Sequence, residues 1–149
     1  MATTTYTTTT TGRSGFPIRN LFVPFPFVCF TLALITDIAY WRTSFMMWHN
    51  FSAWLLFAGL VFGSLGLVAG IFDIIRPSTR IWGPGWAPAL GYIVVLALAI
   101  LNSFIHAGDG WTAIVPNGMT VSAVTTLMII ATLWLAAKRR SSIIWSIER

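Results

Sequence analysis

Very little in this chain can carry charge, bind metal or form a crosslink. One cysteine, Cys29, stands among 149 residues, which excludes an internal disulfide and any paired-cysteine metal or haem-attachment motif. It falls inside a long apolar run and reads as filler. Acidic residues number four and histidines two. Asp37, Asp73, Asp109 and Glu148 are scattered singly, so no carboxylate pair stands at hydrolase spacing. No glycine loop precedes a helix to cradle phosphate, and no nucleophile, base and orienting group form a constellation. The sequence therefore reads as non-enzymatic. Charged residues make up 9% of the chain against 56% apolar, and the mean hydropathy is +0.79. A monomer of this size and composition has too little polar surface to cover itself in water.

What is abundant is apolar length. Four runs, Leu21 to Trp41, Phe51 to Ile75, Ala87 to Ala107 and Met119 to Ala137, are each long enough to cross a hydrocarbon core as a helix. The expected fold is an all-α membrane protein, a four-transmembrane-helix bundle with helices at about 21–41, 49–75, 87–107 and 118–137. Basic residues then orient it. Arg13 and Arg19 precede the first span, Arg76 and Arg80 lie between the second and third, and Lys138, Arg139, Arg140 and Arg149 follow the fourth. The first connection holds only Arg42 and the third holds no Lys or Arg. Because basic flanks resist translocation, both termini are expected in the cytoplasm, with the protein multi-pass in a bacterial cytoplasmic (inner) membrane. The net charge of +5 belongs to that boundary and to anionic lipid headgroups, and so gives no argument for nucleic acid.

The organisation follows: residues 1–19 as a Thr-rich cytoplasmic tail, 20–137 as the transmembrane domain, and 138–149 as a basic interfacial tail. The Thr run at 3–11 is interrupted only by Tyr6 and has no apolar period, so it is expected to be extended with no core of its own. The first apolar stretch is full length and ends in Tyr40, Trp41 and Arg42, an interfacial anchor, so it is expected to remain in the mature protein. Pro24 and Pro26 fit the first turns of a helix and predict a kinked start. The second span carries Gly59, Gly63, Gly66 and Gly70, a small-residue face that lets another helix approach closely, within the chain or outside it. Trp82 and Trp86 are expected at one headgroup level, with Trp41, Trp48 and Trp111 at the other.

Few polar residues fall within the spans. Asp37 lies about one turn inside the end of the first span, where an ionisable group is a functional candidate unless Arg42, His106 or a water neutralises it. Asp73 precedes Arg76 by three positions on one helical face, the spacing of an interfacial ion pair. His49 opens the second span and His106 closes the third, both at the depth of Asp37. Two imidazoles from different helices can ligate haem b, or with a carboxylate a divalent metal, but interfacial anchoring is the preferred reading, since haem ligands are set inside a bundle and supported by further bonds. Asn102 and Ser103 read as interhelical hydrogen-bonding groups.

Several short stretches in order resemble the bacterial membrane-protein family of domain of unknown function 2231. They are Phe16 to Pro26, Thr36 to Thr43, Ala53 to Leu56, Ala58 to Leu60, Gly70 to Asp73, Asn102, and Val115 to Gly118. The likeness spans roughly residues 16 to 137. It implies a four-span cytoplasmic-membrane protein, with relatives sometimes joined to soluble redox domains, and no established activity. The family's opening usually reads His-Pro, a variable residue, then His-Pro. Here Phe16 and Arg19 take the two histidine positions, and a further family histidine falls near Pro88. Any metal or haem held by those histidines in relatives is therefore lost here, and His49 and His106 do not align with them.

Loss of that site with retention of Asp37, Asp73, the prolines and the glycines implies a structural role. The expectation is a non-catalytic accessory subunit of a larger inner-membrane complex, of the electron-transfer or photosynthetic kind, without a cofactor of its own. Its partners would be other integral membrane subunits, lipids and, in such a complex, pigments or quinone. The alternative is a small haem b or quinone-interacting redox protein using His49 and His106. An ion or solute conductor using Asp37 ranks below both, because no cluster of polar groups or symmetric helix breaks marks a path.

Overall fold

The computed structural model describes residues 16–76, 85–107 and 114–147. The Thr-rich tail, Arg13, Arg80, Trp82, Asp109, Trp111, Glu148 and Arg149 lie outside them. Every element among the described residues is helical: α1 (Arg19–Phe22), α2 (Pro24–Thr43), α3 (Met46–Ile75), α4 (Trp86–Ala107), a π-helical turn (Ile114–Gly118) and α5 (Met119–Ile147). Four helical stretches, Arg19–Thr43, Met46–Ile75, Trp86–Ala107 and Val115–Arg139, are long and apolar enough to cross a membrane.

The kinked start takes a specific form. Val23 keeps helical torsions (φ −59°, ψ −34°) and its N–H reaches the carbonyl of Arg19 at 2.9 Å. Pro24 and Pro26 have no N–H to offer the carbonyls of Asn20 and Phe22, so the hydrogen-bond ladder lapses while the backbone stays helical. At its other end α2 stops on Ser44, which is left-handed (φ 54°) and gives its N–H to Tyr40 at 2.7 Å. That reversal lets α3 begin at once, and it begins at Met46, ahead of the apolar run at Phe51. His49 and Asn50 are polar, but nothing about them breaks a helix. Likewise α5 continues past Ala137 to Ile147. The apolar run ends there, yet Lys138 and Arg139 are good helix formers, and the Lys138 ammonium folds back over the Trp134 ring at 5.4 Å.

Helices α2 and α3, α3 and α4, α4 and α5, and α5 and α2 pack as neighbours, closing an antiparallel ring of four. Its apolar core is Phe27, Phe30, Ala33, Leu56, Tyr92, Val95, Leu96, Ala99 and Ile129. The glycine face of α3 is used within the chain. A Cβ on Gly59 would overlap the Phe30 ring, one on Gly63 would lie 2.5 Å from Leu96 Cδ2, and one on Gly66 2.7 Å from the Tyr92 hydroxyl. Gly70 differs, with nothing within 4 Å of its would-be Cβ. Tyr92 closes this layer by donating its hydroxyl to the Gly63 carbonyl at 2.9 Å. Large apolar side chains point outward instead: Phe104 is 72% exposed, Trp54 69% and Leu127 66%. Glycines and hydrogen-bonded polar groups share the inside with this core, while the outside is large and apolar, an arrangement suited to lipid.

Asp73 anchors α1. It is buried, and its two carboxylate oxygens accept the backbone N–H groups of Ile18 (3.1 Å) and Arg19 (3.0 Å). The carboxylate thus supplies from α3 the cap that α1 lacks in its own sequence, since Ile18 has no side-chain acceptor. Asp73→Ala should lower the local stability of α1 by about 1–2 kcal/mol, the usual worth of a helix cap. Amide hydrogen exchange checks this: exchange should quicken at Ile18 to Phe22 and hold at Phe30 and Ala33, and an unchanged rate at α1 would void the capping role.

Candidate functional site

At the end where α2 turns into α3, all four long helices send polar groups to one point. Asp37 from α2 is fully buried. Its Oδ1 accepts from Ser52 Oγ of α3 at 2.5 Å and lies 2.9 Å from His106 Nε2 of α4, while its Oδ2 accepts from Ser122 Oγ of α5 at 2.5 Å. Behind Ser122, Asn102 Nδ2 donates to the serine oxygen at 2.7 Å. Behind Ser52 stands the Thr36 hydroxyl at 2.7 Å, which donates to the Ser52 oxygen while Ser52 gives its own hydrogen to Asp37. The hydroxyl directions follow from this: Ser122 receives from an amide that can only donate at Nδ2, so its own hydrogen is directed at Asp37.

The same accounting fixes the proton content of the His106–Asp37 pair. His106 Nδ1 lies 3.0 Å from the Asn102 carbonyl, which can only accept, so Nδ1 carries a hydrogen. Nε2 and Asp37 Oδ1, 2.9 Å apart, then share one proton. Imidazolium with carboxylate or imidazole with carboxylic acid both give a net-neutral pair, the form in which two ionisable groups are tolerated inside a bundle. Of the neutralising partners considered from sequence, Arg42, His106 or water, it is His106 that meets Asp37.

His49 joins through its ring alone. Its imidazole stacks on that of His106, centroids 5.8 Å apart and planes 21° from parallel, and Tyr40 flanks it at 6.1 Å. Three buried atoms near this end have no hydrogen-bond partner: His49 Nδ1, Asn102 Oδ1 and Ser103 Oγ. Each such group forfeits roughly 1–3 kcal/mol unless something satisfies it. Haem does not fit the two histidines as they stand. Both nitrogens of His106 are engaged by protein, and the rings lie face to face, whereas an axial pair must aim nitrogens at an iron between them. A divalent ion meets a similar obstacle, since among the described residues no group of three or more His, Cys, Asp or Glu gathers as a ligand set.

Sequence reasoning singled out Asp37, His49, His106 and Asn102, and the fold brings them together. Asp73 belongs to the opposite end, with Arg19 and Pro88, two of the positions where the family's histidines would fall. Ser52, Ser122 and Thr36 were missed. Each is a small polar residue within an apolar run; Ser52 stands one turn from His49 and Thr36 next to Asp37, whereas Ser122 has no candidate on its own span to point to it. Ser103, expected to bond between helices, has no partner, while its neighbour Asn102 does.

The architecture and this cluster define a class: a four-helix membrane bundle closed at one end by an internal carboxylate–imidazole clasp. Residues 15–141 match the family described as a predicted membrane protein, domain of unknown function 2231, and the chain belongs to that family. No curated protein matches the chain, and no solved structure does.

Proposed function

We propose that this chain is a non-catalytic structural subunit of a larger bacterial inner-membrane assembly, with both termini in the cytoplasm. The observation that carries this reading is the closure of the polar cluster: both oxygens of Asp37 and both nitrogens of His106 are held by the protein. A group engaged on every side holds helices together and has no capacity left for a substrate. Surfaces open to neighbours are the apolar ones, including the rings of Trp54 and Phe57, in edge contact at 6.0 Å, and the unfilled space over Gly70. Gly59, Gly63 and Gly66 contribute nothing outward, so contacts with other subunits would use Gly70 and the aromatic rows. The electron-transfer or photosynthetic kind of assembly is proposed from the family resemblance alone. The orientation is supported by the eight basic residues on one side and Arg42 on the other.

One preparation tests both parts. Membrane vesicles carrying Lys138→Cys in a Cys29→Ala background are treated with an impermeant thiol reagent and then dissolved in mild detergent. The cysteine should react only in inside-out vesicles, and the chain should migrate with stoichiometric partner subunits. Labelling from the periplasmic face would overturn the orientation, and a chain that always migrates alone would overturn the subunit role.

A further inference from the structure

A line of exposed residues runs down the outer side of α3 from Asn50 through Trp54, Phe57, Val61 and Ser64 to Val68, spaced alternately by four and three. That is the 3.5-residue period of one helix lying along another, sustained over about 27 Å. Exposure alone would suit lipid, but two features of the line do not. First, Ser64 stands deep in the span, and its hydroxyl makes no hydrogen bond among the described residues. The hydroxyls of Thr31, Thr120, Thr125, Thr126 and Thr132 each turn back to the carbonyl four residues earlier. Ser64 does not. An acyl chain offers its hydrogen nothing, whereas a polar group on another helix would accept it. The exposed amide of Asn50, on the same line, is likewise without a bond among the described residues. Second, a hollow of about 370 Å³ lies over Asn50, Ala53, Trp54 and Phe57. All four belong to α3, at i, i+3, i+4 and i+7, the four-residue hole that receives one side chain from a facing helix. Ala53 opens it, and no other helix of the chain contributes to its lining.

We infer that this face is a homodimer interface, in which a second copy of the chain lays its own α3 alongside, parallel, about a two-fold axis along the membrane normal. The choice of a second copy over any other helix rests on self-complementarity. Copies of one chain enter the membrane with the same basic flanks and hence the same orientation, so residues at one depth meet across such an axis. A hydroxyl and an amide each donate and accept, so Ser64 meets Ser64 and Asn50 meets Asn50 as satisfied pairs. In a parallel, in-register pair the side chain that enters the hollow is the one level with its third member. That member is Trp54, which is 69% exposed and stands beside the small Ala53 whose size makes the room. The inference does not rest on the subunit reading above, because a homodimer stands equally well alone or within a larger assembly.

Disulfide trapping in native membranes tests it, with single cysteines placed in the full chain carrying Cys29→Ala. Ser64→Cys and Val61→Cys should give linked dimers under mild oxidation, whereas Leu127→Cys, 66% exposed on α5, should give only the background of chance collisions. Association is then measured by energy transfer between labelled copies in liposomes at rising lipid-to-protein ratio. Ser64→Ala should weaken it about threefold, the factor for one average interhelical hydrogen bond. Trp54→Ala should weaken it about tenfold or more, as for a central aromatic anchor. Ala53→Leu, which fills the hollow, should abolish it, and a packing defect in that variant leaves Trp54→Ala to decide. Equal trapping at Leu127→Cys, trapped products that contain another protein in place of a second copy, or association unchanged in Trp54→Ala would overturn the inference, the last by leaving lipid as the cover of this face. A dimer purified without any other protein would support it while overturning the subunit role.

Discussion

Asp37→Leu should destabilise the bundle by about 3–5 kcal/mol, the range for removing one partner of a buried charged pair. A single interhelical hydrogen bond in a membrane protein averages only about 0.6 kcal/mol, so the size of the effect distinguishes a clasp from an ordinary polar contact. The larger figure applies because the substitution leaves the Ser122 hydroxyl and His106 Nε2 facing apolar carbon with no partner. Asp37→Asn should fall between the two values: its amide keeps one acceptor and turns a donor toward hydroxyls that already donate. The compensating set, Asp37→Leu with Ser52→Ala, Ser122→Ala and His106→Leu, should recover a large part of the loss, since no orphaned group remains. Reversible unfolding in mixed micelles measures all three. A loss below 1 kcal/mol for Asp37→Leu, or strictly additive losses in the combined variant, would remove the clasp from the stability of this fold.

Gly59→Val should be nearly as damaging, at about 3 kcal/mol or more, at the upper end of what overpacking costs. A Cβ there would overlap the Phe30 ring, and Phe30 is 1% exposed, packed on every side in the core and unable to retreat. Gly70→Ala is the matched control. Nothing stands within 4 Å of its would-be Cβ, and exchanging glycine for alanine inside a helix is worth up to about 1 kcal/mol in the opposite direction. The same unfolding measurement should therefore give opposite signs at two glycines of one helix. Equal effects at the two sites would mean that the close approach of α2 and α3 does not depend on Gly59.

Those two residues also show which parts of the molecule were legible beforehand. Four helices and their approximate limits followed from apolar length, because in lipid a spanning segment must satisfy its own backbone. The limits slipped where helix and apolar run are different things. Met46 to Asn50 and Lys138 to Ile147 are helical although His49 and Asn50 in one, and Lys138 to Ser142 in the other, interrupt the apolar run. Glycine spacing on α3 announced a close neighbour but could not name it, since Phe30, Leu96 and Tyr92 reach the stripe from two different helices. For the polar residues, depth was readable and direction was not. Asp37, His49 and His106 were placed at one level by counting along each span, and Asn102 was read as an interhelical hydrogen-bonding group without a level of its own. That His106 would turn Nε2 to Asp37 and Nδ1 back to Asn102, leaving His49 only a stacking face, depends on helix rotation, which a nearly uniform apolar sequence encodes weakly. The serines were passed over because an isolated hydroxyl in a span has so many local carbonyls to satisfy it.

The clasp also bears on the order in which the chain assembles. Asp37 and Ser52 belong to the hairpin synthesised first, whereas His106 and Ser122 arrive with the second. Until then the early hairpin sits in lipid with an ionisable side chain answered by one hydroxyl, a condition the bilayer penalises. Neither half is a finished object, and their union is rewarded at one spot near the turn of each. A bundle whose outer faces are uniformly greasy thereby acquires a means of recognising its own second half among all the other apolar helices sharing the membrane.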